Sequence, residues 1–338
     1  MSPESVVVLP EFRPRGWLAN THVQSLMTSG PWRKRHVQRQ ARGFLSRSQP
    51  EMIRAWDGTR LLGFRNRPPQ APADRRSALV ILLHGWEGSV DSNYLLSTAL
   101  ALDAAGFETF RLNFRDHGPT HHLNEGLFHS CRLGEVLDAV AQIRAAHGEG
   151  PVFLIGFSLG GNFALRVARA APDYGFQLNR VIAVSPVIRP RHVLDALETS
   201  WAVYHRYFVY KWRRSLKIKQ ALYPQAYDLS GWFRLKDLRG QTEWLVEHMT
   251  GFRSLDDYLE GYSVAGNYLE GLETPSLIIT AADDPIIPVT DFHDLPPNPA
   301  LEIELLEHGG HCGFIDSWRM HSWIDQRLIG ELCRHLNN

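Results

Sequence analysis

The chain has 338 residues, with 36 lysines and arginines against 36 aspartates and glutamates, a formal net charge of zero. That length leaves room for one large or two ordinary domains with a substantial core, and the charge balance excludes a globally basic nucleic-acid or polyanion binder. The three cysteines, Cys131, Cys312 and Cys333, are scattered and form no CxxC pair, a usage that fits a reducing compartment and no disulfide framework.

No apolar run reaches the roughly 20 residues a membrane span needs, and residues 1–12 lack a basic n-region before a short apolar run. The expectation is a soluble, cytoplasmic protein. Residues 12–47 are aromatic and basic, with no carboxylate between Glu11 and Glu51. They are read as an N-terminal arm (1–50) that wraps the core through Phe12, Trp17, Leu18 and Trp32; a patch for nucleic acid or anionic membrane is the competing reading. Two alternating runs, 51–56 and 59–65, joined by Asp57-Gly58, predict a β-hairpin, and the proline- and alanine-rich residues 67–77 predict a loop.

The period then changes. Buried strands are expected at 78–83, 108–114, 152–157 and 181–185, with helices at 92–105, 131–146 and beyond Ser158. This alternation means an α/β fold, a mostly parallel sheet with helices on both faces and its site at the carboxyl ends of the strands. Alternation stops at Pro186. Residues 187–272 are helical in pattern and rich in Trp and Tyr, and read as a helical cap inserted in a core of 51–186 and 273–338. The sheet resumes at 276–280 and 301–306, and a last helix is expected from about Trp318. Within the cap, residues 201–220 carry six cations interleaved with aromatics and no acid, an amphipathic helix with a solvated basic face that could also meet a membrane surface or shelter an acyl chain.

Gly156-Phe157-Ser158-Leu159-Gly160-Gly161 follows a buried strand and opens a helix. Glycines two positions from a serine permit the sharp strand-to-helix turn that exposes a nucleophile, and the Leu159 N–H at the helix start would face an oxyanion. A serine hydroxyl needs a general base, and the base needs an acid. The strand at 276–280 is followed by Asp283 and Asp284, that at 301–306 by His308 and His311. Asp284, before Pro285 and two isoleucines, and His311, after two glycines, are the preferred pair; Asp283 is assigned to the turn and His308 to packing or solvent. After the strand at 78–83, His84-Gly85-Trp86-Glu87-Gly88 offers the Trp86 N–H as second oxyanion donor. The order Ser, Asp, His suits this sheet topology. His117 and His121 have a spacing that could hold zinc, but no third ligand pattern accompanies them; residues 116–129 are read as a mobile polar loop.

These residues resemble the α/β-hydrolases, and more closely their YheT-like branch of serine esterases and lipases. The marks of that branch are Phe12-Arg13-Pro14, Trp17-Leu18-Ala19-Asn20-Thr21-His22-Val23-Gln24, His84-Gly85-Trp86-Glu87-Gly88-Ser89, Asn113-Phe114-Arg115 and Gly309-Gly310-His311-Cys312-Gly313-Phe314. The resemblance covers nearly the whole chain. It implies an α/β-hydrolase fold and a carboxylesterase with Ser158, Asp284 and His311 as triad, acting on small-molecule or lipid-like esters without metal or organic cofactor. No counterpart of the membrane-anchoring helix of eukaryotic relatives is expected. After Asn113-Phe114-Arg115 the branch usually carries Gly-Cys, whereas this chain has Asp116-His117-Gly118. An acyltransferase using the same acyl-enzyme, or a binding protein on the same scaffold, are the alternatives.

Overall fold

The computed structural model describes residues 12–70 and 78–336; most of the loop expected at 67–77 lies outside them. The chain opens with three helices, α1 (Thr21–Ser29), α2 (Pro31–Gln40) and α3 (Arg42–Ser46), before the hairpin β1 (Gln49–Arg54) and β2 (Arg60–Asn66). There follow β3 (Leu79–Leu83), α4 (Asn93–Ala104), β4 (Glu108–Leu112), α5 (Leu133–His147), β5 (Val152–Phe157), α6 (Leu159–Ala170) and β6 (Arg180–Val184). Helices α7 (Pro190–Thr199), α8 (Ala202–Leu222), α9 (Ser230–Arg234), α10 (Leu238–Met249) and α11 (Leu255–Glu260) separate β6 from β7 (Ser276–Ala281). The chain ends with α12 (Thr290–His293), β8 (Leu301–Leu306) and α13 (Trp323–Leu336).

The eight strands form one sheet in the order β1-β2-β4-β3-β5-β6-β7-β8. β1 and β2 pair antiparallel, as do β2 and β4, and every later pairing is parallel. Covered on both faces, the inner strands can be apolar at every position. In β3, Val80 and Leu82 point to the layer that holds Leu102, Phe107 and Leu328, while Leu79, Ile81 and Leu83 point to that of Val140, Phe163 and Val167. This two-sided burial fixes the level of the carboxyl ends of β3, β5, β7 and β8, where the site residues emerge.

Three local expectations need correction. Residues 16–46 are mostly helical, and of the four apolar anchors expected there Phe12 and Leu18 are buried, whereas Trp17 and Trp32 are 54% and 81% exposed. Val37, Ala41 and Phe44 fill the inner face instead, at helical spacing that leaves Trp32 outward. The last helix starts at Trp323, because Met320 takes a positive φ and Ile315 bridges Ser322 just before it. The loop after β4 is built into the protein: Asp116, His117 and His121 are buried.

Candidate active site

Ser158 stands between β5 and α6 with φ 54° and ψ −119°, a strained conformation for a residue with a Cβ. Its N–H donates to Val184 O at 2.9 Å. The tight path depends on absent side chains. A Cβ on Gly156 would lie 2.0 Å from Gly160 O, and one on Gly160 would lie 2.5 Å from both Leu83 O and His84 O. The glycines of the motif thus let α6 sit against β3 and β5, with its N-terminus beneath the serine.

His311 Nε2 lies 2.9 Å from Ser158 Oγ, and His311 Nδ1 lies 2.9 Å from Asp284 Oδ2. Asp284 has a fully buried carboxylate, and its other oxygen accepts the N–H groups of Ile286 at 2.8 Å and Ile287 at 3.0 Å. Pro285 turns the chain so that these two amides point back at the carboxylate, an arrangement that fixes its orientation. Asp283 Oδ1 instead accepts Gly310 N–H at 2.8 Å, and Asp283 Oδ2 lies 3.4 Å from the half-exposed His308. The structure therefore brings Ser158, His311 and Asp284 together and leaves Asp283 and His308 in the supporting turn.

Neither Trp86 N–H nor Leu159 N–H makes a hydrogen bond among the described residues; Trp86 lines the same cleft as Ser158, and Leu159 follows the serine in the chain. The Trp86 loop is held by groups that sequence reasoning did not assign. Tyr94 OH accepts Gly85 N–H at 2.8 Å. His84 is fully buried, its Nδ1–H donating to Gly85 O at 2.8 Å and its Nε2 accepting Phe114 N–H at 3.2 Å. Burial pushes the His84 imidazole down to about 4, so it stays neutral and keeps this tautomer across the working pH range.

The loops of His311 and Asp284 rest on α1. Gln24, fully buried, donates from Nε2 to Leu18 O at 2.6 Å and Ile315 O at 2.8 Å and accepts Ile315 N–H at 2.8 Å. Ser25 Oγ accepts His311 N–H at 2.9 Å, Thr28 Oγ1 donates to Cys312 O at 3.2 Å, and Thr21 Oγ1 donates to Asp283 O at 2.5 Å. Residues 21, 24, 25 and 28 share one helix face. A stripe of small polar residues at helical spacing was the available signal, since such a face has no use as an apolar contact. Gln24→Leu is expected to lower the unfolding free energy by about 1–3 kcal/mol, because it orphans buried backbone groups; the shift of a urea denaturation midpoint measures it.

His117 and His121 are placed apart in role. His117 Nδ1–H donates to Arg115 O at 2.7 Å and its Nε2 accepts Glu87 N–H at 3.1 Å, while His121 Nε2 contacts Ser215 Oγ at 2.8 Å. Both His117 nitrogens are thus spent on loop geometry. No group of three or more metal-ligating side chains occurs among the described residues. The expected solvated basic face of α8 is also incomplete: Lys219 is fully buried, donating to Asp116 Oδ1 at 2.7 Å and to the carbonyls of His121 and Asn124. Its position fifteen residues after Tyr204 puts it on the core-facing stripe. Ser158 and His311 open into a cleft of about 660 Å³ walled by α1 and α2 on the N-terminal side and by Tyr204, Tyr207 and Phe208 of α8.

The sequence profile of the α/β hydrolase fold family matches residues 78–317. The chain belongs to that family. Among curated relatives, this α/β hydrolase is 27% identical to the "Putative esterase YheT" of Escherichia coli (strain K12), over 96% of this chain and 94% of that protein. It is 25% identical to Protein ABHD15 of Homo sapiens, over 94% of this chain and 68% of that protein. Among solved structures, the Pyrococcus furiosus esterase Pf2001 superposes with a TM-score of 0.55 at 16% identity, covering 96% of this chain and 98% of that one, which shows a shared fold. Among the described residues, no helix of this α/β hydrolase is long and apolar enough to cross a membrane.

Proposed function

We propose that the protein is a serine hydrolase of carboxylic esters. The observation that carries this reading is the unbroken contact chain Asp284–His311–Ser158, with 2.9 Å at both links, beside two unspent backbone donors. His311 Nε2 accepts the Ser158 hydroxyl proton as Oγ attacks the ester carbonyl carbon, while Asp284 keeps the opposite proton on Nδ1. The carbonyl oxygen gains negative charge as its π bond opens, and the Trp86 and Leu159 N–H groups hold it, assisted by the α6 dipole. Collapse breaks the bond to the alcohol oxygen, which leaves with the proton from His311. Water then attacks the acyl-enzyme, His311 again taking the proton, and releases the acid and free Ser158. The esterase name of the YheT relative agrees with this chemistry.

A fluorophosphonate probe tests it. The expected result is labelling at Ser158 alone, with p-nitrophenyl ester hydrolysis falling in proportion to labelling. Undiminished hydrolysis in fully labelled protein would overturn the assignment.

A further inference from the structure

The inward stripe of α8 runs Tyr204, Phe208, Lys211, Ser215 and Lys219, in steps of three or four residues that share one helix face. Its first two members cover the reaction centre. Tyr204 OH contacts His22 Nδ1 at 2.8 Å, and the Phe208 ring stacks on Trp86 with centroids 5.2 Å apart. At the next turn the stripe becomes cationic. Lys211 lies at the boundary between the main cleft and a second recess of about 250 Å³, whose wall also includes Glu87, His117, His121, Arg214 and Ser215. Lys34 of α2 lines the main cleft as well.

The charges around these two spaces do not cancel. Of the lining carboxylates, Asp116 is met by Lys219 at 2.7 Å and Asp91 faces Arg111 at 3.7 Å. Glu87 is held in the wall, and burial pushes its carboxyl up to about 8, so near neutral pH it is largely an uncharged O–H donor. Lys34, Lys211 and Arg214 form no ion pair among the described residues. By contrast Arg65 holds Glu51 and Glu108, Arg115 holds Glu135, and Arg180 holds Glu302 and Glu331. Burial pushes the Lys211 ammonium below its ordinary value; Glu87 opposes this, and Arg214 and Lys34 add to it. Lys211 is half-buried between the two spaces, with Arg214 exposed at the rim of the recess and Lys34 exposed at the rim of the main cleft; cations that repel one another at this range are stabilised by an anion bound among them.

We propose that this recess is a subsite for an anionic group, carboxylate or phosphate, carried by the ester substrate away from its reacting carbonyl. The inference rests on the Ser158 esterase reading and names its substrate class. Phe208 marks the reaction centre through Trp86, and along α8 Lys211 lies about 4.5 Å and Arg214 about 9 Å beyond it at 1.5 Å per residue. A short acyl ester with an acidic end, or an acylated phosphate alcohol, would place ester and charge at that separation.

The test compares matched pairs on the full chain: p-nitrophenyl hemiadipate against p-nitrophenyl hexanoate, and 1-hexanoylglycerol 3-phosphate against 1-hexanoylglycerol. Lys211→Met and Arg214→Met are expected to lower the anionic-to-neutral ratio of kcat/KM by about tenfold in at least one pair, and the pair that responds identifies the carboxylate or the phosphate. Lys217→Met, an equal charge loss on the exposed face of α8, serves as control and should keep the wild-type ratio. Ratios unchanged in both pairs, or lowered equally by Lys217→Met, overturn the subsite. If the wild-type protein hydrolyses none of the four esters and takes no fluorophosphonate, the esterase reading fails separately. Calorimetric titration with adipate and with glycerol 3-phosphate then decides the subsite alone: a tenfold weaker affinity in Lys211→Met supports it, and an absent or unchanged affinity overturns it.

Discussion

Asp284→Asn is expected to lower kcat for ester hydrolysis by about 10⁴-fold while the fold survives. The reason lies in the two amides that already point at Asp284 Oδ1, from Ile286 and Ile287. An asparagine must turn its carbonyl oxygen toward those donors, which places its NH₂ where Oδ2 now meets His311 Nδ1. That NH₂ can only donate, so the imidazole must present an unprotonated Nδ1 and carry its proton on Nε2. Such a ring has no lone pair to offer Ser158. Asp283→Asn provides the comparison, since its side chain accepts Gly310 N–H and an amide oxygen can do the same. Its kcat should stay within about tenfold of wild type. Steady-state assays of the two variants read the difference directly, and equal losses would remove the distinction between the two aspartates.

The largest stability effect is expected from Lys219→Met. The ammonium and the Asp116 carboxylate are 0% and 7% exposed, so truncation leaves a carboxylate in the interior with only Phe128 N–H to bind it. Breaking one side of a buried pair costs about 3–5 kcal/mol, and the carbonyls of His121, Asn124 and Gly126 lose their shared donor as well. Adding Asp116→Asn should recover part of the loss, because the residual group is then neutral. Guanidinium denaturation of the single and double variants measures both steps. A single-variant loss below about 1 kcal/mol would mean that water reaches Asp116. The pair matters beyond stability because it ties α8, which roofs the cleft, to the loop after β4.

Much of this was legible along the chain. The alternation of apolar strands and helices from Leu79 to Val184 has a period that only a two-sided sheet satisfies, and the Gly156–Gly161 turn, the aspartates after β7 and the histidine loop after β8 each follow a strand end. What separates Asp284 from Asp283 along the chain is Pro285 and Ile286, which supply the turn and an amide that orient the Asp284 carboxylate. The α1 stripe was less readable. Thr21, Gln24, Ser25 and Thr28 resemble an ordinary polar helix face until the backbone of residues 283, 311, 312 and 315 is seen against them. Residues 116–129 looked solvated because they are histidine-rich and polar, but their partners, Lys219, Ser215 and Glu87, lie about a hundred residues away or on another loop.

The sequence by itself determined the layered sheet, the order of its strand-end motifs and the residue types those loops carry, because periodicity and glycine-permitted turns are local properties of the chain. Only the tertiary structure decided which polar groups are spent on one another and which remain free. Pairing of Lys219 with Asp116, and the absence of an ion pair at Lys211 among the described residues, depend on which segments the inward face of α8 meets at each turn. That facing is set by packing between segments distant in sequence, where composition carries no information about register.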